Sequence, residues 1–206
     1  MRQALNIVSL LFCTLGSALI LAGCDSLPER KPPELWMTGY TCCNLRHYRQ
    51  TNQISDGNYS DGVVIPAGSP IRIYKPGFSS YRADAEIAGS RYVLTQDYAR
   101  SLESFEVWAR RIAVSESPKR KMAKWPAKVQ ATVESGQVMV GMTKEQVLIA
   151  LGYPLKTATP NLNNNPWRYW HSSFNKYDVY WQNGVVSRIA KAGEQSTAVA
   201  PGVVKQ

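Results

Sequence analysis

From Ala4 to Gly23 the chain carries no charged side chain, and only Asn6, Ser9, Thr14 and Ser17 interrupt the run with clearly polar groups. A start bearing Arg2, an apolar core and small residues at its end form the pattern of a signal segment that is removed on export. A membrane-spanning helix is the plainer alternative, but it needs about 20 apolar residues and usually charged flanks on both sides. The chain that folds is therefore expected to begin after Gly23, and to fold in an oxidising compartment. No second long apolar span follows.

The segment ends in Leu21-Ala22-Gly23-Cys24, which resembles the lipobox read by lipoprotein signal peptidase. The resemblance implies cleavage before Cys24, a diacylglyceryl thioether on its sulfur and, in most Gram-negative bacteria, a third acyl chain such as palmitate on its amine. Two or more chains anchor stably, at about 0.8 kcal/mol per buried methylene. The expected location is the periplasmic face of the outer membrane. Asp25 resembles the inner-membrane retention signal of enteric bacteria, so the periplasmic face of the inner membrane is the alternative.

Twenty-four Lys and Arg against 15 Asp and Glu give a net charge of +9. That balance favours anionic partners such as phospholipid headgroups, lipopolysaccharide or acidic protein surfaces. Nucleic acid is not an expected partner of an exported protein. Of four cysteines, Cys13 leaves with the signal segment and Cys24 takes the lipid. Cys42 and Cys43 remain, adjacent. They form either a vicinal disulfide or, on the plainer reading, a buried or free thiol pair, because neighbours on a strand point to opposite faces. Redox catalysis usually spaces its thiols as C-x-x-C.

Residues 24–35 hold the lipidated cysteine and a proline-rich tether that, in extended form at about 3.1 Å per residue, reaches roughly 30 Å. Residues 36–114 read as a β-rich region closed by one helix. Val63-Val64-Ile65 and Ile71 to Tyr74 flank a Pro-Ala-Gly-Ser-Pro turn, and Ala83 to Ile87 turns at Ala88-Gly89-Ser90 into Arg91 to Leu94. Leu102, Phe105, Trp108, Ala109 and Ile112 recur at helical spacing behind a possible Ser101 cap. Residues 115–125, with Lys119, Arg120, Lys121 and Lys124, read as a basic linker. Residues 193–206 read as a disordered tail.

Residues 126–192 are the most patterned. Pro126 can start a helix and Gly136 end it, while Thr143 and Gln146 form a capping box for a second helix that Gly152 stops. Three strands follow, the last two joined by the hairpin signal Asn183-Gly184. The fold class this predicts is α+β, with two C-terminal helices packed on a three-stranded antiparallel sheet behind a β-rich region with one helix. A simple two-residue turn would pair Arg188 with Val179, putting an arginine on the core face; a bulge after Val186, or a place at the sheet edge, would remove that conflict.

The ordered set Gly141-Met142-Thr143, Gln146-Val147, Leu151-Gly152-Tyr153-Pro154, Trp167-x-Tyr169 and the final hairpin resembles the BamE-like (SmpA/OmlA) lipoprotein family. The resemblance covers about a third of the chain. It implies a non-enzymatic accessory subunit, with the β-barrel assembly machine of the outer membrane as a partner. About 80 intervening residues set the chain apart from family members that are little more than tether plus this domain. The turn from Ile65 to Ile71 also looks like that of small bacterial barrels related to Src-homology domains, some of which bind peptidoglycan.

No catalytic residues are singled out. His47 and His171 stand far apart, no His/Cys/Asp/Glu cluster has metal-ligand spacing, and no nucleophile elbow, P-loop or H-E-x-x-H occurs. No metal or other cofactor is expected, and no enzymatic activity. The candidate partner-binding residues are Arg168, Trp170 and Tyr180. On strand periodicity they face away from Trp167, Tyr169 and Val179, and mixed aromatic and arginine surfaces are typical of binding hot spots. Alternatively, the N-terminal region covers this face and buries the rings. The expected function is a membrane-anchored, periplasm-facing interaction or scaffold subunit in outer-membrane assembly or envelope integrity. The alternatives are a peptidoglycan-binding module and a protein-inhibitor-like lipoprotein.

Overall fold

Short strands dominate because the apolar residues from Leu35 to Thr95 alternate with polar ones between turn-forming clusters, as in the exposed-buried pattern of Pro70–Tyr74. A computed structural model describes residues 32–193. The expected signal segment, Cys24, most of the expected tether and the expected tail from 194 onward lie outside the described residues.

In chain order the elements are β1 (Leu35–Thr41), β2 (Leu45–His47), β3 (Gln53–Ser55), β4 (Val63–Ile65), β5 (Pro70–Tyr74), β6 (Arg82–Ile87), β7 (Ser90–Thr95), α1 (Phe105–Ile112), β8 (Ala113–Val114), α2 (Lys119–Met122), α3 (Ala127–Glu134), α4 (Lys144–Leu151), β9 (Trp167–Trp170), β10 (Lys176–Gln182) and β11 (Val185–Lys191). A six-stranded sheet runs β3-β7-β6-β5-β1-β8, a three-stranded sheet runs β11-β10-β9, and β2 pairs with β4. Among the described residues, only β3 with β7 is parallel.

The expected α+β class is corrected by this inventory. The described residues hold 11 strands and four short helices, and the six-stranded sheet curls into a half-barrel. The reason lies in what the helices bury. α3 spans eight residues and fully buries only Val133, so it cannot by itself form a layer over a sheet. The core around Trp167, Val179 and Val186 is closed in part by Ala67 and Met122, which come from outside the expected two-helix domain.

Several local expectations shift for identifiable reasons. The Pro66 to Pro70 segment does turn, but β4 pairs with β2 while β5 pairs with β1 and β6, so the turn passes the chain between sheets. Helix α1 starts at Ser104, whose hydroxyl accepts from the Val107 N–H, and Leu102 stays outside it. Residues 119–122 form a helical turn whose Met122 is buried. The hairpin β6–β7 and the Thr143–Gln146 capping box stand where the pattern placed them.

Two apolar clusters hold the body together. Ile54, Ile71, Ile73, Ile87 and Leu94 of the large sheet pack on Phe105, Trp108 and Ile112 of α1. Each such side chain contributes about 1.5–3 kcal/mol on burial. Between the clusters runs a polar seam. Asn44 donates to the carbonyls of Val133 and Ala150 at 2.6 and 3.0 Å and accepts from the Ala67 N–H. Arg46, 7% exposed, donates to the carbonyls of Ser60, Gly62 and Gly136. Asn58 donates to the carbonyls of Asn44 and Leu151 and accepts from the Arg46 N–H. Buried polar groups are tolerated when bonded in this way and costly when not. From Pro33 onward the described residues accordingly form one compact unit.

Candidate functional site

The open face of the three-stranded sheet carries the residues singled out by periodicity, and cross-strand registry decides what each one meets. Arg168 lies opposite Asp178, Trp170 opposite Lys176, and Tyr180 opposite Arg188. The Arg168 guanidinium makes a two-pronged contact with the Asp178 carboxylate, both bonds at 2.8 Å. That carboxylate, accepting from Arg168, raises the arginine pKa. The Arg188 guanidinium lies over the Tyr180 ring, 4.0 Å from its centroid. Arg168 and Tyr180 are therefore engaged within the sheet, each only partly exposed.

Trp170 is different. Its ring stacks on Tyr59 at 5.9 Å and meets Tyr98 at 6.0 Å, while the Lys176 ammonium sits 4.0 Å from its centroid. Tyr59 arrives from the loop after β3, held there because the N–H groups of Ser60 and Asp61 donate to the carbonyls of Trp170 and His171. Tyr98 arrives because the buried carboxylate of Asp56 accepts from the N–H groups of Asp97, Tyr98 and Ala99. Burial pushes the Asp56 carboxyl above its usual range, and the three N–H donors work against that. The N-terminal region thus covers part of this face, and Trp170 ends half-buried at the junction.

Three aromatic residues that the sequence did not single out are exposed or partly so. Phe174, at the tip of the β9–β10 turn, is 94% exposed. Tyr98 is partly exposed, and its hydroxyl is hydrogen-bonded to that of Tyr59. Burial, and after it that hydrogen bond, raise the Tyr98 pKa. Phe78, in the β5–β6 loop, is fully exposed. Both phenylalanines sit in turn-forming contexts, Pro-Gly-Phe-Ser-Ser and Ser-Ser-Phe-Asn. A large apolar residue among turn formers was the signal that could have found them.

Cys42 and Cys43 are bonded to each other. Cys43 is buried in the first apolar cluster, and Cys42 borders a groove with Lys121, Lys124, Glu145 and Tyr153. Cys24 lies outside the described residues. Asp56, Glu103, Arg111 and Lys156 converge on a cavity of about 20 Å³, room for roughly one water. Glu103 is bound there by both Arg111 and Lys156. Among the described residues no group of three or more His, Cys, Asp or Glu side chains could hold a metal ion, and no helix is long and apolar enough to cross a membrane. Comparison with protein-family models, curated proteins and solved structures finds no match.

Proposed function

We propose that this chain is a lipoprotein anchored through Cys24 that acts as a non-enzymatic interaction subunit on the periplasmic face of the outer membrane, in envelope or β-barrel assembly. The lipobox and the BamE-like pattern within residues 126–192 support the setting. The observation that carries the interaction role is the Trp170 junction. There Trp170, Tyr98, Lys176 and the exposed Phe174 present aromatic and cationic groups on one surface, the composition of binding hot spots. The partner is a protein, and a subunit of the barrel-assembly machine is the first candidate.

The test is photo-crosslinking in living cells with benzoylphenylalanine in place of Phe174 and, as a control, of Val107 on the exposed side of α1. A discrete adduct with one envelope protein at 174, absent at 107, is the expected result. Sedimentation of the 174 adduct with isolated cell wall would favour the peptidoglycan-binding alternative. Equal, diffuse adducts at both positions would refute an interaction site here.

A further inference from the structure

We propose that the β5–β6 loop, residues 75–81, is a membrane-contacting loop whose Phe78 enters the lipid interface beside the anchored tether. This rests on the lipoprotein reading of Cys24 but adds a second contact that the anchor does not require.

The placement comes from the way the chain joins the body. The Lys75 N–H donates to the Glu34 carbonyl at 2.7 Å, and the Lys75 ammonium is 2.9 Å from the Glu34 carboxylate. Leu35 pairs with Tyr74. The loop therefore springs from the very strand end against which the tether docks. Pro33 is nine steps along the chain from Cys24, and a chain covers at most about 3.3–3.6 Å per residue. The point where the tether meets the body thus stays within roughly 30 Å of the acyl chains.

The composition fits an interface. Phe78 is fully exposed, and Leu35 at the docking point and Tyr81 at the loop's other end are also exposed, so the loop and its root carry three large apolar side chains open to solvent. Arg100 lies over the Tyr81 ring at 4.9 Å, Lys75 begins the loop and Arg82 follows it. Aromatic rings with Lys and Arg beside them suit the headgroup level of a bilayer, where rings bury and cations meet anionic lipid. Local acids temper the electrostatic part: Glu34 pairs with Lys75 and Asp97 with Arg100, while Asp84 lies two residues beyond Arg82. Insertion of Phe78 is therefore the main element of the contact.

The test uses the full acylated chain in vesicles of phosphatidylethanolamine and phosphatidylglycerol, with an environment-sensitive dye on Phe78→Cys or, as control, on Val140→Cys. Cys24 is acylated under this reading and Cys42 is bonded to Cys43, so the introduced thiol is the reactive one; the parent chain serves as the blank. The expected result is blue-shifted emission at 78, protected from iodide and quenched by brominated lipid, with neither effect at 140. If the protein floats with vesicles and carries its acyl mass, yet the dye at 78 is as open to iodide as at 140, the loop proposal is overturned while the anchor stands. If Cys24 carries no acyl mass and the protein does not float, the anchor reading fails and takes this one with it.

Discussion

Asp178 sits on the open face of β10 with its side chain only 2% exposed, and Arg168 is its hydrogen-bond partner. A buried carboxylate without a partner is costly, whereas a half-exposed arginine by itself contributes little. Arg168→Ala should therefore destabilise the protein by about 2 kcal/mol, and Arg168→Ala combined with Asp178→Ala by less than that single change. Urea unfolding of both variants checks this; a single variant as stable as the parent would show that solvent already satisfies Asp178. The alternation of Trp167, Arg168, Tyr169 and Trp170 showed in sequence which residues share a face. It did not show that Arg168 would be engaged across the strands, because its partner depends on the register of β9 against β10. Nor did it choose between an open and a covered Trp170. That outcome follows from the Asp56 carboxylate and the Ser60 and Asp61 N–H groups, whose partners only the folded chain supplies.

Between residues and molecule, the β10–β11 hairpin shows how one element settles a conflict that its sequence poses. The register slips between Tyr180 and Trp181, so that Val186 opposes Trp181, Arg188 opposes Tyr180 and Ser187 is the extra residue. The Ser187 hydroxyl donates to the Tyr180 carbonyl at 3.1 Å. This is a bulge after Val186, and it turns Arg188 out of the core while Ile189 takes the place opposite Val179. The hydrophobic pattern posed the conflict and offered a bulge after Val186 or a place at the sheet edge as ways out; the register shows the bulge there, on a strand that is also at the edge. Removing Ser187 would leave Val186, Arg188 and Ile189 in their present pairings on a regular ladder. Deletion of Ser187 should therefore cost less than about 1 kcal/mol, whereas deletion of Val186 would put a serine in its buried place and cost about 3 kcal/mol. Thermal unfolding of the two deletions decides it; a Ser187 deletion as damaging as the other would mean that the bulge itself is required. The loop tips carrying Phe78 and Phe174 belong to the same level, because hairpin geometry presents a tip residue to solvent whatever its polarity.

The molecule as a whole is joined by groups that look unremarkable one at a time. Asn44, Arg46 and Asn58 are polar residues in turn-rich segments, and only the folded chain shows them bonded to carbonyls from Ser60 to Leu151. A boundary drawn at the basic stretch 115–125 is thus crossed by hydrogen bonds and by phenols. The Tyr177 hydroxyl meets Ser60, and the Tyr59 ring stacks on Trp170. Burial raises the pKa of Tyr48 from 10.0 to about 12, and it raises Tyr98, Tyr169 and Tyr177 as well. Below pH 10 these phenols are neutral in both folded and unfolded chains and contribute no pH dependence. Above pH 10 the unfolded chain releases their protons while the folded one keeps them, so stability falls with pH, at up to about 1.4 kcal/mol per pH unit for the buried Tyr169 and by less for Tyr48 and Tyr98, which solvent screens. The loss should run from pH 10 to about 12, the window set by Tyr48. Because the seam couples both regions, it should end in one cooperative transition, with phenolate absorbance from the buried tyrosines rising together with the loss of near-ultraviolet circular dichroism. Phenolate signal from all the tyrosines near pH 10 with the dichroism intact would show that these rings are not buried as described, and two separate transitions would show that the seam does not hold the regions together.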